Sequence, residues 1–471
     1  MLTSTANGAS RLSLWLRVRE FAVPPTMIET ATARRLSGDW AGACAAAGID
    51  VDLDLRSLAR AHGPELARQV RGDLRHLAPD LLRWHLPRIA PDGLLRPGLT
   101  VALARYGQDG PAGAEPAPHL VVRTPPAWAD AGQRISLAWW DGHTTGPGPG
   151  SGTAPRHPHP HPSRRFRFDL HRHLWDARRA GELRSRSGDG RATAPAPGPV
   201  EPPAERSTGP LPPGLSCAVD RWAAEAELLN LAEGRSGGGP VVVRLGSRRR
   251  VLLEPLPDGG AAVAPAPPEN PAATLPVLPD AATWTLPDLE LLRAGLIEAD
   301  RLHPLVAAAL VPDHRPTGPV RSPDPAGQPR VVECRGARHR IGLVDGVLVP
   351  LDHEQGEVRR EELLAALTGT PLPCLQAIDE AHRRPDCLTG VRERLDHGDT
   401  AGALAVVEGL VGPDALLRAG ALRDELEAAA QRRITYGLYR AGLIGPAPDR
   451  LLPGNRRPRD RRSHPRNVTP R

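Results

Sequence analysis

Six arginines within 11 residues form the clearest candidate binding segment of this sequence: Arg456, Arg457, Arg459, Arg461, Arg462 and Arg466. Guanidinium groups hold phosphate oxygens through paired hydrogen bonds, and each neutralised phosphate releases counterions. Residues 450–471 contain eight arginines and one aspartate, a net charge of +7 that exceeds the +6 of the whole chain. The segment predicts binding to RNA, DNA, an anionic membrane surface or an acidic protein. It contains no aromatic residue to stack on bases, so it does not indicate sequence specificity.

Lysine is missing from the chain, and all 60 residues of the Lys+Arg count are arginine. Arginine stays protonated and cannot act as an amine nucleophile, which argues against Schiff-base and pyridoxal chemistry. P-loop NTPases and protein kinases also need a lysine on the phosphates. Asn, Tyr, Phe and Met are scarce as well, so the codon bias of a GC-rich bacterium explains the absence; selection against lysine is the alternative.

The run Asp379-Glu380-Ala381-His382 has the residues of a DEAH box, in which the aspartate helps to hold Mg²⁺ and the glutamate orients water. That use requires a Walker A lysine, which this chain lacks. Leu375, Ile378 and Ala381 recur at helical spacing. We therefore interpret the run as part of a helix with charged residues on its exposed side.

Cys387 lies close in sequence to His382 and to several carboxylates, and a Cys–His pair can generate a thiolate nucleophile. Hydrolase sites converge from several elements and need an oxyanion hole, however, and the sequence shows local proximity only. A buried cysteine at the start of a helix is the simpler interpretation, and no catalytic residue is predicted.

The cysteines are odd in number, and no pair has C-x-x-C spacing: Cys44, Cys217, Cys334, Cys374 and Cys387. This pattern predicts neither a disulfide framework nor a structural zinc site, and it favours the reducing cytoplasm. No cofactor is predicted.

A histidine-rich tract contains His157, His159 and His161 alternating with prolines, and His171 and His173 follow it. Such tracts can bind transition metals through neutral imidazole. In polyproline geometry, with three residues per turn, residues two apart point in different directions, so these three rings do not converge on one ion. No physiological metal site is predicted here. His171 and His173 share one face if their segment is a strand, and we interpret them as ordinary surface residues.

Further motifs and targeting signals are lacking in the sequence. G-x-S-x-G, H-E-x-x-H, EF-hand and G-x-G-x-x-G patterns do not occur in a suitable context. Arg17, Arg19 and Glu20 interrupt the first apolar stretch, so no signal peptide is predicted. No window approaches 18 uninterrupted apolar residues, and no integral membrane association is expected.

Hydrophobic patterning predicts an α+β N-terminal region. Residues 11–19 alternate and predict a strand with one buried face, whereas residues 28–86 have three-to-four spacing and predict three or four short helices. Extended segments are predicted at residues 99–106, 119–123 and 134–140.

The remaining pattern mixes hairpins and helices. The middle of the chain predicts a helix at 218–233, a hairpin of 241–245 with 250–256, and a helix at 286–311 with Pro287 in its first turn. Asp345-Gly346 between two apolar runs is a strong hairpin signal, since both turn residues need positive φ. Helices are predicted to follow at about 358–368, 374–383, 387–396, 399–411 and 413–440.

One short pattern occurs twice: Gly38-Asp39-x-Ala-Gly-Ala returns as Gly398-Asp399-x-Ala-Gly-Ala. Each copy predicts an aspartate N-cap followed by a helix face of small residues. No regular period connects the copies, so a solenoid is rejected. Reuse of a capping pattern is favoured over duplication.

Together these patterns predict a multi-domain α+β protein, with small β-hairpin and sheet elements packed against short helices and Pro/Gly-rich disordered linkers. The predicted division is an N-terminal α+β domain at 1–143, a Gly/Pro/His-rich linker at 144–165, a segment at 166–185 packing on the N-terminal domain, a Pro-rich linker at 186–214, a middle α+β unit at 215–312, a linker at 313–329, a mainly helical C-terminal domain with a β-hairpin at 330–445, and a disordered Arg-rich tail at 446–471.

The sequence favours a cytoplasmic, non-enzymatic interaction or scaffold protein with an unidentified protein partner. Two alternatives stay open. The chain could be a nucleic-acid-associated protein that binds phosphates non-specifically through its arginine tail. It could also be a hydrolase, because acid–base sites built from scattered Asp, Glu and His leave no linear motif.

Overall fold

The computed structural model describes residues 8–107, 117–142, 157–187, 216–235, 238–246, 249–256, 260–266, 275–314, 330–334, 336–369 and 371–444. It is 49% helical and 18% strand with several small sheets, which confirms the α+β fold class. Contacts divide the chain into two compact units: unit 1 comprises residues 1–129, 133–316 and 440–471, and unit 2 comprises residues 130–132 and 317–439. Much of the predicted linkers and all of the predicted tail lie outside the described residues.

Unit 1 contains most of the secondary structure. Its helices are α1 (Gly8–Arg17), α2 (Pro25–Leu36), α3 (Trp40–Ala46), α4 (Leu55–His62), α5 (Pro64–His76), α6 (Pro79–His85), α7 (Leu183–Arg186), α8 (Trp222–Ala232), α9 (Asp280–Thr283), α10 (Pro287–Arg293) and α11 (Pro304–Leu310). Its strands are β1 (Ile49–Asp52), β2 (Arg88–Ile89), β3 (Leu94–Leu95), β4 (Thr100–Arg105), β5 (His119–Arg123), β6 (Ile135–Trp140), β7 (Val241–Arg244), β8 (Arg250–Pro255) and β9 (Ala261–Pro265).

The strand predicted at residues 11–19 is wrong, because this segment forms α1 and a π-helical turn that follows it. Leu14 and Trp15 are buried together, whereas Leu12 and Leu16 are only partly buried. This pattern of burial follows the periodicity of a helix face, whereas the alternation of the leucines in the sequence is typical of a strand. The next region holds α2 to α6 and also β1, a strand the helical pattern did not predict.

The main sheet of unit 1 has the strand order β1-β6-β5-β4, with β1 parallel to β6 and the other pairs antiparallel. It confirms the three extended segments predicted before residue 141. Alternation along β5 places Leu120 and Val122 in the large core of the unit, while Val121 packs with Ala138 and Trp140 on the opposite face.

A second core of unit 1 lies between α8 and the antiparallel sheet β7-β8-β9. The predicted helix and hairpin are confirmed, and β9 extends the hairpin by a third strand. The single helix predicted at 286–311 is wrong, although Pro287 does occupy the first turn of α10. Gly295 follows α10 with a φ of 64°, and Pro304 starts α11.

Unit 2 combines a three-stranded antiparallel sheet with helices. The strands are β10 (Arg330–Cys334), β11 (Ala337–Val344) and β12 (Val347–Pro350), and the helices are α12 (Gln355–Thr368), α13 (Pro373–Arg383), α14 (Leu388–His397), α15 (Thr400–Val411) and α16 (Ala421–Arg440). Asp345 and Gly346 have φ of 50° and 79°, which confirms the predicted hairpin turn between β11 and β12.

The last helix starts later than predicted, at Ala421 instead of residue 413. Gly412 has a φ of 97° and is followed by Pro413, so α15 ends there. Gly420 has a φ of 155°, outside the helical region, which delays the start of α16. None of the described helices combines the length and apolar character needed to cross a bilayer.

Candidate metal centre

Two thiols and one imidazole converge in unit 2. Cys334, His353 and Cys374 each offer one donor atom, and the three atoms lie within 4.8 Å of one another. The Sγ of Cys374 is 3.5 Å from the Nε2 of His353. Tetrahedral zinc geometry places neighbouring sulfur and nitrogen ligands about 3.5–3.8 Å apart, given the usual Zn–S and Zn–N bond lengths. The measured separation therefore matches that of two ligands of one ion.

Each donor comes from a different element. Cys334 ends β10, Cys374 lies in the first turn of α13, and His353 stands between β12 and α12. The preceding Asp352 accepts hydrogen bonds from the backbone N–H of Arg340 at 2.6 Å and from its guanidinium at 2.8 Å. These bonds lower the pKa of Asp352 to about 2 and hold the segment that carries His353 against β11.

Two side chains surround the imidazole of His353. The Oε2 of Glu357 is 3.5 Å from its Nδ1, on the ring edge away from Cys374. The ring of His339 stacks on it with centroids 4.3 Å apart and an interplanar angle of 12°. Metal-binding histidines commonly direct their second ring nitrogen to a carboxylate, which fixes the tautomer and the ring orientation. Glu357 occupies that position.

Burial disfavours the thiolate form of Cys374 when no cation is bound. Desolvation, together with the hydrogen bond that the Cys374 thiol donates to the sulfur of Cys334, raises the pKa of Cys374 to about 12. A divalent cation reverses this preference, because a coordinating thiol is deprotonated outright. The cluster is thus suited to a thiophilic metal and unsuited to nucleophilic catalysis.

Sequence reasoning missed this cluster because it searched for closely spaced cysteines. The donors are 19 and 21 residues apart along the chain, and the packing of β10, β12 and α13 brings them together. One indication was available. The hairpin register of β11 and β12, continued past Pro350, brings the residues that lead to His353 beside His339. The prediction of no structural zinc site rested on spacing alone and stays a prediction.

Of the site residues named from the sequence, the six tail arginines Arg456, Arg457, Arg459, Arg461, Arg462 and Arg466 lie outside the described residues. Cys387 is the half-buried N-cap residue of α14, and burial raises its pKa, so the thiol stays protonated. In the acidic run on α13, Asp379 binds Arg383 at 2.8 Å and Arg418 at 2.7 Å. These contacts are those of a charged helix surface, as the helical interpretation predicted.

The histidines have structural roles in unit 1. His157 places its Nε2 2.9 Å from the carbonyl oxygen of Thr124, and burial lowers its pKa to about 4. The interpretation of His171 and His173 as surface residues is wrong, since both are buried. Their segment forms tight turns and a 3₁₀ helix instead of a strand.

Buried acidic groups in unit 1 are engaged in ion pairs. Glu225 contacts His171 at 3.1 Å and Arg186 at 2.6 Å, and these partners outweigh desolvation and lower its pKa. Asp73 contacts Arg178 at 2.7 Å beside an open cavity of about 360 Å³, and it accepts a 2.8 Å hydrogen bond from the hydroxyl of Tyr106. Such saturated pairs are typical of structural groups.

Comparison of the chain with protein-family models, with curated proteins and with solved structures finds no match. The arrangement of its own residues therefore carries the functional argument.

Proposed function

We propose that this chain is a non-enzymatic cytoplasmic protein that docks a partner protein on α12. One observation carries the proposal. Leu363, Leu364 and Leu367 are exposed by 62%, 49% and 85%, and their spacing places them on one side of the helix. These three residues are called the leucine stripe below.

The leucine stripe lies on a helix whose described residues are exposed or half-buried. Among the described residues of α12, none is buried. A helix of 14 residues is near the length at which an isolated helix is marginal in water, so its stability normally comes from a packed apolar face. Burying each leucine stabilises a complex by about 1.5–3 kcal/mol. A partner protein that covers these leucines would explain why they are exposed in the isolated chain and what stabilises α12.

The occupant we favour is an amphipathic helix of another protein. Helical partners engage an apolar stripe through residues spaced three and four apart, which is the spacing of the leucine stripe. Exposed charges of both signs lie beside the stripe, on Arg359, Arg360 and Glu362. A complementary partner helix therefore carries acidic and basic residues next to its own apolar face.

The states of three individual groups, Cys44, Cys217 and Asp176, support a non-enzymatic function. Burial raises the pKa of Cys44 to about 12 and that of Cys217 to about 11, which keeps both thiols neutral. Asp176 has a lowered pKa because Arg178 and Arg172 bind it against the opposing effect of burial. A cysteine nucleophile or a carboxylic general acid needs the opposite shift, so these three groups are unsuited to those roles.

A photocrosslinker placed at position 367 of the full chain tests the proposal in the native host. We expect it to capture one protein, whose purified form then binds the wild-type chain. The double variant L363E/L367E should bind that protein at least about 100-fold more weakly, because two buried leucines are lost. The matched control is L416E, which changes a leucine that is 92% exposed outside α12. Equal affinity of the double variant and the wild type contradicts the proposal.

Two other outcomes also overturn it. If the wild type is a dimer and L363E/L367E is a monomer, the stripe covers a second copy. If polynucleotide binding is salt-sensitive and is lost on deleting residues 450–471, and no protein depends on the stripe, the phosphate-binding alternative replaces the docking function.

A further inference from the structure

We propose that Cys334, His353 and Cys374 bind a Zn²⁺ ion that joins the sheet of unit 2 to the starts of α12 and α13. This site does not depend on the docking function proposed above. The three residues supply two sulfur ligands and one nitrogen ligand, and they fill three positions of a tetrahedral ion.

The composition of the donor set selects the metal. Thiolate and imidazole favour zinc over magnesium and calcium, which prefer oxygen ligands. Two thiolates and a neutral imidazole carry a charge of −2, which Zn²⁺ neutralises inside a buried site. On binding, two S–H bonds break, two Zn–S bonds form and two protons pass to solvent. No oxidant or reductant is needed.

The packing of unit 2 indicates a structural role for the ion. Its hydrophobic cluster joins Leu348 of β12 to residues of α14, α15 and α16, and none of its members belongs to the described parts of α12 or α13. Outside this cluster, α13 buries Ile378 and Ala381, and the three donors lie at the end of β10, after β12 and in the first turn of α13. An ion there ties β10, the β12–α12 connection and α13 together, in the manner of structural zinc sites in small domains.

The surroundings of His353 are those of a metal ligand. Its Nε2 faces Cys374, its Nδ1 faces Glu357, and its ring is stacked on His339. The ring is thereby oriented from three sides. Both cysteines are free thiols in the structure, so they are available as ligands.

Metal titration of the full chain tests this site. Protein purified with a phosphine reductant and stripped with a chelator is dialysed against Zn²⁺, and bound metal is measured by mass spectrometry. We expect one zinc per chain in the wild type and loss of that zinc in Cys334→Ser, Cys374→Ser and His353→Gln. The matched control is Cys387→Ser, which removes a half-buried thiol of the same unit and should retain one zinc. Co²⁺ in place of Zn²⁺ should give a thiolate charge-transfer band in the wild type and the control.

A second measurement on the wild type remains decisive even if a ligand variant fails to fold. Zinc should protect two of the five thiols from alkylation, identified by peptide mapping as Cys334 and Cys374, and a chelator should remove the protection. The proposal is overturned if the wild type binds no zinc, if Cys334→Ser/Cys374→Ser keeps it, or if Cys387→Ser loses it equally. A native Cys334–Cys374 disulfide found by non-reducing mapping overturns it as well.

Discussion

Glu357 lies in the first turn of α12, four residues after His353, and its carboxylate is 3.5 Å from the imidazole nitrogen that faces away from Cys374. Because this carboxylate can hold the proton on Nδ1, it leaves Nε2 free to bind a metal. Glu357 is a positioning residue for the proposed zinc ion and not one of its three ligands.

Glu357→Gln should weaken zinc binding by about 10–100-fold while the stoichiometry stays at one per chain, as for other carboxylates behind a ligating histidine. Competition against a chromophoric chelator measures the affinity. Glu362→Gln, an exposed change on the same helix, serves as the control and should leave the affinity unchanged. An unchanged affinity in Glu357→Gln would falsify the positioning role.

We expect His157 to make the stability of unit 1 depend on pH. Its folded-state pKa is lowered to about 4 by burial, with a smaller contribution from Arg123, whereas an unfolded histidine titrates near 6.5. The unfolded chain therefore binds the proton first as the pH falls. The stabilisation is complete above about pH 6.5 and is lost towards pH 4, by roughly 2–3 kcal/mol.

His157→Asn should remove this part of the pH dependence. Unfolding by urea at pH 7, 5.5 and 4.5 measures the difference, and tryptophan fluorescence reports unit 1 selectively because all nine tryptophans belong to it. His161→Asn, at an exposed position of the same segment, is the control. If the free energy of unfolding depends on pH equally in His157→Asn and in the wild type, the imidazole of His157 does not cause the pH dependence.

The parts of the fold that could be predicted are those set by neighbouring residues in the sequence. The turn at Asp345-Gly346 needs only two residues that tolerate positive φ, so the hairpin of β11 and β12 could be identified from neighbours in the chain. The N-terminal helix could not, since Leu12, Leu14 and Leu16 alternate as in a strand. Its true face is set by Trp15, which packs at 5.4 Å, between ring centroids, against Trp84.

The Cys334–His353–Cys374 cluster and the buried histidines were not predicted from the sequence for a related reason. Cys374 meets His353 only because β12, α12 and α13 fold back on one another, and no local pattern encodes that path. His171 is buried by a contact with Glu225, 54 residues away. Groups whose partners lie far along the chain leave no local sequence pattern, whereas caps and turns are encoded by neighbouring residues.

The two aspartate caps have the same local geometry. Asp39 accepts a hydrogen bond from the backbone N–H of Gly42 at 2.8 Å, and Asp399 accepts one from Gly402 at 2.9 Å, which confirms both predicted caps. An arginine five residues earlier contacts each carboxylate, at 2.8 Å from Arg34 and at 2.7 Å from Arg394. A Cβ on either glycine would overlap the capping carboxylate, which explains the repeated glycine.

Removing these caps should have unequal effects. The side chain of Asp399 is 10% exposed and that of Asp39 is 43% exposed, so solvent replaces the lost contacts more readily at Asp39. Asp399→Ala should destabilise the start of α15 by about 1–2 kcal/mol, and Asp39→Ala should affect α3 less. Hydrogen exchange of the first-turn amides measures both, with the corresponding Asn variants, which retain a capping oxygen, as controls. If Asp39→Ala accelerates exchange in α3 more than Asp399→Ala accelerates it in α15, burial of the cap does not govern its strength.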